Sequence, residues 1–242
     1  MKPLLFVLIS LGFPLWLRAD ETQGLVVPFK TVSVSSPVLQ EVIEAVKVEE
    51  GNQVREGDVL VELRKEKEML EVRQYEQLVQ QRKFTAEGAE KLYKEKIGSQ
   101  EAALEKRTEW ELAKIQLEQA EVRLKEKTIR SPLDGIVVKK YKETGEAVDR
   151  VEKLVDVIDI NRVYVQFYLD PKLLQTVKAE QQVEVRFPVL GAEPFIGVIS
   201  FVDPRIDAGS GLFRVKILLE NKDYKIKAGM RGMTDFAKLA GR

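Results

Sequence analysis

The pattern of apolar and polar positions changes character three times along the chain. Met1-Lys2 precedes an apolar run from Leu4 to Leu17, interrupted only by Ser10, Gly12 and Pro14. Short alternating segments follow, with Val42, Ile43, Val46 and Val48 in one and Ile136, Val137 and Val138 in another. Between them, from Lys65 to Lys127, apolar residues recur at helical spacing. Ala103, Trp110, Leu117 and Leu124 are seven apart, with Ala113 and Ala120 three residues after Trp110 and Leu117. Val72, Val79, Ala86 and Tyr93 repeat the step, with Tyr75 and Ala89 between them. Alternation predicts strands, and the sevenfold step predicts two helices meeting along a narrow seam. After Asp159 alternation returns, in Val163, Val165, Phe167 and then Val183, Val185, Phe187. Further strands are read at Phe195 to Val202, Leu212 to Leu219 and Met230 to Phe236, with a short helix from Pro171 to Lys178. Five strands and a helix in about 80 residues predict a small β-barrel.

The first run is too short to span a bilayer, which needs about 20 apolar residues. A basic start, a short apolar core and Ala19 before Asp20-Glu21 read as a secretory signal peptide over residues 1–19. The mature chain is then expected to be exported, and no cysteine follows the cut to carry a lipid.

The strand segments on either side of the helices are copies of one pattern. Ser36-Pro37-Val38 opens one and Ser131-Pro132-Leu133 the other; Gly51 follows the first serine by 15 residues, Gly145 the second by 14. From each glycine, Val lies at +3 (Val54, Val148) and Leu at +9 (Leu60, Leu154). Each copy is too small to bury a core, so the two are expected to pair about a pseudo-twofold into one sandwich, with Gly51 and Gly145 in equivalent turns.

The helical segment holds 14 Lys/Arg and 14 Glu in 63 residues, no proline, and glycine only at 88 and 98. Its charge reads as a solvated face around a coiled-coil seam. Gly98 is placed to end the first helix and Ser99 to cap the second. Helices of 30-odd residues give a hairpin roughly 45 Å long.

Composition narrows the chemistry. Lys+Arg and Asp+Glu are 39 each, so there is no basic excess to mark a nucleic-acid binder. Histidine and cysteine are absent, which excludes thiol catalysis, Ser-His-Asp triads, disulfide scaffolds and His- or Cys-ligated metals; four methionines form no soft-ligand cluster. Asp134, Asp203 and Asp207 sit beside Gly or Pro in turn-like sequence and are read as turn residues rather than a hydrolase pair. An acyl carrier needs a lysine on a tight turn joining the half-motifs. Here 63 helical residues replace that junction.

Gly51-x-x-Val54-x-x-Gly57-Asp-x-Leu60 and Ser131-Pro132-Leu133-Asp134-Gly135-Ile136-Val137, flanking a helical hairpin, resemble the periplasmic adaptors (membrane fusion proteins) of tripartite efflux pumps of the resistance–nodulation–division type. Val163-x-Val165, Gly197-x-Ile199, Asp203-Pro204 and Gly229-Met230 continue the resemblance. It implies an α+β chain: a split lipoyl-like β-sandwich (36–64 and 128–158) interrupted by a long antiparallel coiled-coil α-hairpin (65–127), followed by a β-barrel (159–236). It implies no enzymatic activity, no cofactor and no metal. The implied partners are an inner-membrane transporter, an outer-membrane channel and further copies of the chain in a six-membered ring, with no nucleic acid. A structural adaptor of an ATP-driven export system is the alternative. Gln40 stands where Gly135 stands in the second copy, and Ala179-Glu180-Gln181 where a glycine is usual. The membrane-proximal domain usual in such adaptors is expected only as a stub, from Leu25 to Val34 and the 237–242 tail. Family adaptors dock the channel through an Arg, a Leu and a Ser at the hairpin tip; the matching residues are Gly88, Leu92 and Ser99. Lys91, Leu92, Ile97 and Ser99 are therefore the expected partner-binding residues, Lys91 standing in loosely for the missing arginine.

Overall fold

The computed structural model describes residues 21–241, so the segment read as a signal peptide lies outside the described residues. Two compact units are present, 29–160 and 161–241 together with 21–28. The strands are β1 (Thr22–Ser35), β2 (Glu41–Val46), β3 (Gln53–Val54) and β4 (Val59–Leu63); then come α1 (Glu66–Lys94) and α2 (Gln100–Glu126). After the helices follow β5 (Thr128–Arg130), β6 (Gly135–Lys140), β7 (Ala147–Val148), β8 (Lys153–Leu169), β9 (Gln182–Val185), β10 (Phe195–Ile206), β11 (Phe213–Glu220) and β12 (Arg231–Thr234). Among the described residues no helix is long and apolar enough to cross a membrane.

In the first unit the two half-motifs form one sandwich, related by a shift of 94 residues from Gly51 to Gly145. Ile43 pairs with Leu63 and Val46 with Val61; the same relation gives Val137 with Val157 and Lys140 with Val155. The halves exchange their third strands. Val54 of β3 pairs with Gly135 of β6, and Val148 of β7 pairs with Glu41 of β2. Reciprocal bonds tie the turns: Gly51 N–H donates to Val137 O at 2.8 Å and Gly145 N–H to Ile43 O at 2.9 Å. Both glycines have φ near 90°, the left-handed region that glycine enters without a Cβ clash. The alternating positions Ile43, Leu60, Val61, Leu63, Val137, Leu154, Val155 and Val157 make the dry interior.

The one-residue difference in spacing has a local cause. Each opening serine is buried, and its hydroxyl donates to the carbonyl two residues on, Val38 in one copy and Leu133 in the other. Gln40 is the extra residue, taken up in a turn at φ 49° just before β2. Gly135 therefore corresponds to Glu41, not to Gln40. A Cβ at Gly135 would meet the Ile158 carbonyl at 2.4 Å, because β8 runs on past it. In the first copy the strand ends at Leu63 and the chain leaves for α1, which frees space for the Glu41 side chain.

The helices run antiparallel, since Glu71–Arg123 and Arg82–Glu109 pair across them at 2.7 and 2.6 Å. The inward row alternates steps of three and four: Val72, Tyr75, Val79, Arg82, Ala86 and Ala89 on α1 are buried or half-buried. On α2 the row is Ala103, Lys106, Trp110, Ala113, Leu117, Ala120 and Leu124. Tyr93, assigned to the seam by spacing, is exposed, because α2 has barely begun at that height.

The second unit is a barrel in the order β12-β1-β8-β11-β10-β9, closed where Arg186 and Met233 exchange backbone hydrogen bonds of 2.9 and 2.8 Å. Every second residue of β8 and β11 points inward, giving a core of Val163, Val165, Phe167, Phe213, Val215 and Ile217. Two expectations change here. The segment expected as a stub from Leu25 to Val34 is the body of β1: Thr22 to Leu25 pair with Thr234 to Arg231 of β12 in the barrel, while Phe29 onward belongs to the sandwich unit, where Val34 joins the core. Its alternation was readable, but a partner more than 200 residues away was not. Phe236, the last residue of the expected barrel, is buried in it, edge-on to Phe167 at 5.1 Å. The helix expected from Pro171 to Lys178 is one 3₁₀ turn, Pro171–Leu173, capped by Asp170, whose carboxylate accepts from Lys172 N–H at 2.9 Å.

Candidate functional site

The far end of the helix pair is built by two caps. α1 closes in a Schellman arrangement, in which Ile97 N–H donates to Leu92 O and Lys96 N–H to Tyr93 O, both at 2.9 Å. The left-handed residue this requires is Lys96, at φ 62°, not Gly98 as the sequence predicts. Gly98 serves a different need, since a Cβ there would lie 3.3 Å from the Cβ of Leu92. α2 starts at Ser99, whose hydroxyl accepts from Ala102 N–H at 3.1 Å.

The backbone bond from Ile97 N–H to Leu92 O ties these two residues at the turn, where they are 72% and 47% exposed. Lys91 lies one residue before Leu92 and is exposed, while the Ser99 hydroxyl is occupied as the cap. The Lys94 ammonium, 2.9 Å away, holds the Glu90 carboxyl below the usual range. Sequence reasoning missed Lys96, because glycine is the usual signal for that position and is absent.

The other end is clamped. The Lys127 ammonium, nearly buried at the end of α2, pairs with Glu41 of β2 and with Glu68 of α1, the latter at 3.1 Å. One cation thus joins both helices to the sandwich. Burial pushes the Glu41 carboxyl up, but the hydrogen bond and charge of Lys127 outweigh it and hold it below its ordinary range.

The three carboxylates read as turn residues are committed to structure, although Asp203 lies within β10, where the register against β11 shifts, and not in a turn. Asp134 accepts from Glu56 N–H at 2.8 Å, and Asp207 accepts from both Ser210 N–H and its hydroxyl, each at 2.8 Å. Asp203 is held by Arg205 at 3.2 Å and Arg214 at 3.0 Å; the Arg205 hydrogen bond lowers its pKa.

Residues 30–159 match the CzcB-like, barrel-sandwich hybrid domain, and residues 162–239 the CusB-like, beta-barrel domain. The chain belongs to the CzcB-like family of membrane fusion proteins. Among curated relatives, this membrane fusion protein is 25% identical to the nodulation protein NolF of Rhizobium meliloti over 123 residues, 49% of this chain. It is 22% identical over 211 residues, 80% of this chain, to the cobalt-zinc-cadmium resistance protein CzcB of Cupriavidus metallidurans. It spans only 34% and 40% of the lengths of those two relatives. Its fold is similar to that of a MacA-MexA chimeric protein containing the Pseudomonas aeruginosa MexA alpha-hairpin domain. That likeness has a TM-score of 0.79 at 20% identity and covers 88% of this chain and 78% of the other.

Proposed function

We propose that this chain is a periplasmic adaptor that links an inner-membrane transporter to an outer-membrane channel in the efflux of small molecules. In this reading the chain reaches the periplasm through its N-terminal signal and works as a homo-oligomeric ring. The helix pair is a coiled-coil hairpin, and its tip is the channel-docking site, formed by Lys91, Leu92, Ile97 and Ser99. The observation that carries the reading is that two exposed apolar residues, Leu92 and Ile97, are held by one backbone hydrogen bond at the end of a helix pair whose opposite end is clamped by Lys127. Apolar residues held out on capped helices gain free energy when a partner covers them, about 1.5–3 kcal/mol for a fully buried side chain. A relative named for cobalt-zinc-cadmium resistance supports export of a toxic species as the task. In this chain the adaptor does no chemistry on the cargo; it supplies contact and geometry.

Leu92→Asp and Ile97→Asp test this in cells that depend on the chain for export. Each is expected to abolish export while the thermal midpoint of the purified protein stays unchanged. Export at the parental level from both variants would contradict the docking role.

A further inference from the structure

Between the Arg82–Glu109 bridge and the turn, the seam of the helix pair loses its large side chains. Val72, Tyr75 and Val79 fill it on α1 nearer the root, as Leu117 and Leu124 do on α2; toward the turn its residues are Ala86, Ala89 and Ala103. Alanines cannot fill the space between two helices that bulkier neighbours hold apart. A cleft of about 410 Å³ opens at this level, with Ala86, Ala103, Leu104 and Trp110 as its apolar wall. That volume lies within the range of small-molecule sites, roughly 300–1,000 Å³, which combine an apolar lining with a few polar groups.

The polar groups around the cleft are not equivalent. Glu90 pairs with Lys94 at 2.9 Å and Glu87 with Lys83 at 3.8 Å, so both carboxylates on the α1 side already hold a lysine. Arg107 lines the α2 side and is exposed. Its charge favours the Glu90 carboxylate, but no salt bridge joins the two among the described residues. The Trp110 indole N–H is buried and, among the described residues, has no acceptor. A buried donor left unpaired costs about 1–3 kcal/mol. The unsatisfied groups of the cleft are thus a cation and a donor. What both lack is an acceptor carrying negative charge.

We propose that this cleft binds a small amphipathic anion, an apolar chain ending in a carboxylate. The chain lies along the wall of Ala86, Ala103, Leu104 and Trp110, where it takes the place of the missing seam side chains. The carboxylate accepts from the Arg107 guanidinium, whose planar fork matches two carboxylate oxygens. An amphipathic cation of the same size would face an uncompensated Arg107 and two carboxylates that already hold lysines. A neutral chain of the same length would gain the apolar contact and leave the guanidinium unpaired. The site lies within one copy of the chain and goes beyond the docking role of the tip, on which it does not depend.

Trp110 reports on the cleft directly, since Trp16 is the only other tryptophan of the chain. Decanoate titrated into the full chain is expected to change the tryptophan emission and to saturate, by calorimetry, at one molecule per chain. The emission change is absent from Trp110→Phe. Arg107→Gln alters an exposed position and is expected to weaken decanoate about ten- to a hundredfold. Decanol, which keeps the chain and lacks the charge, shows the same deficit on the unaltered protein and is indifferent to Arg107→Gln. Ala103→Leu fills the cleft and abolishes binding of both; should that variant lose helicity, Arg107→Gln and the decanol comparison decide alone. Four results would each overturn the assignment: no saturable binding of decanoate, equal affinity for decanoate and decanol, tighter binding of decyltrimethylammonium than of decanoate, or decanoate affinity untouched by Arg107→Gln.

Discussion

Val151 holds in the second half-motif the backbone position that Gly57 holds in the first. Gly57 N–H donates to Ser131 O at 2.8 Å and Val151 N–H to Ser36 O at 2.9 Å, with φ 90° and 66°. The turn geometry is shared, so it is imposed by the pairing of the two halves rather than by either residue. A β-branched side chain in the left-handed region is strained, at a cost of about 1–2 kcal/mol.

Val151→Gly is therefore expected to stabilise the chain by about 0.5–1 kcal/mol, the relief of strain less the added freedom of the unfolded glycine. Val151 is 74% exposed, so little packing is lost. Gly57→Val is expected to destabilise by about 1–2 kcal/mol. Urea midpoints at constant m-value check both, and an unchanged or lower midpoint for Val151→Gly would show that the turn relaxes around valine.

At the far turn, Lys96→Gly is expected to raise stability by about 0.5–1 kcal/mol for the same reason. Ser99→Ala removes the α2 cap at a cost of about 0.5–2 kcal/mol, whereas Ser99→Asp keeps an acceptor there. Export measured beside helicity separates the two roles of Ser99. Recovery of both by aspartate assigns it to the cap alone; recovery of helicity without export assigns it to docking as well.

Lys127→Met leaves Glu41 and Glu68 facing each other at the helix root and is expected to cost about 1.5–3 kcal/mol at pH 7. Glu41 is held below its ordinary pKa of 4.5, so its pairing stabilises the fold above pH 4.5 and is lost as pH falls through the lower folded value. Burial pulls Lys127 down, but its bonds to Glu41 and Glu68 raise it above 10.5, so its contribution persists to that pH and is lost only above it. Arg64 also favours the Glu41 carboxylate. The deficit of Lys127→Met should accordingly shrink below pH 4.5. Denaturant titrations at pH 7 and pH 3.5 measure it, and an equal deficit at both would mean the lysine acts through packing alone.

Much of this architecture was legible because local and global constraints coincide. The spacing of Gly51 and Gly145 behind Ser36 and Ser131 is visible in sequence, and the turns require it. The seam from Ala103 to Leu124 follows from helical period alone. What escaped reading depends on distant partners. β1 shows alternation but not that it joins β12, and Gln40 can be recognised as an inserted residue only once Glu41 is seen opposite Val148. At the tip, Leu92 and Ile97 were legible as residues. The bond that ties them was not, since it depends on Lys96 adopting a conformation that its sequence does not announce. The buried triad at Lys127 joins residues 86 apart in the chain, with no motif to mark it.

The most direct test of the adaptor reading is a thiol cross-link from Ile97→Cys in intact cells, where no native cysteine competes. The result predicted is a covalent adduct with an outer-membrane channel protein, absent when the cysteine is placed instead at the exposed Glu121 near the helix root. An adduct of equal yield from both positions, or none from Ile97→Cys while export continues, would contradict docking through the tip.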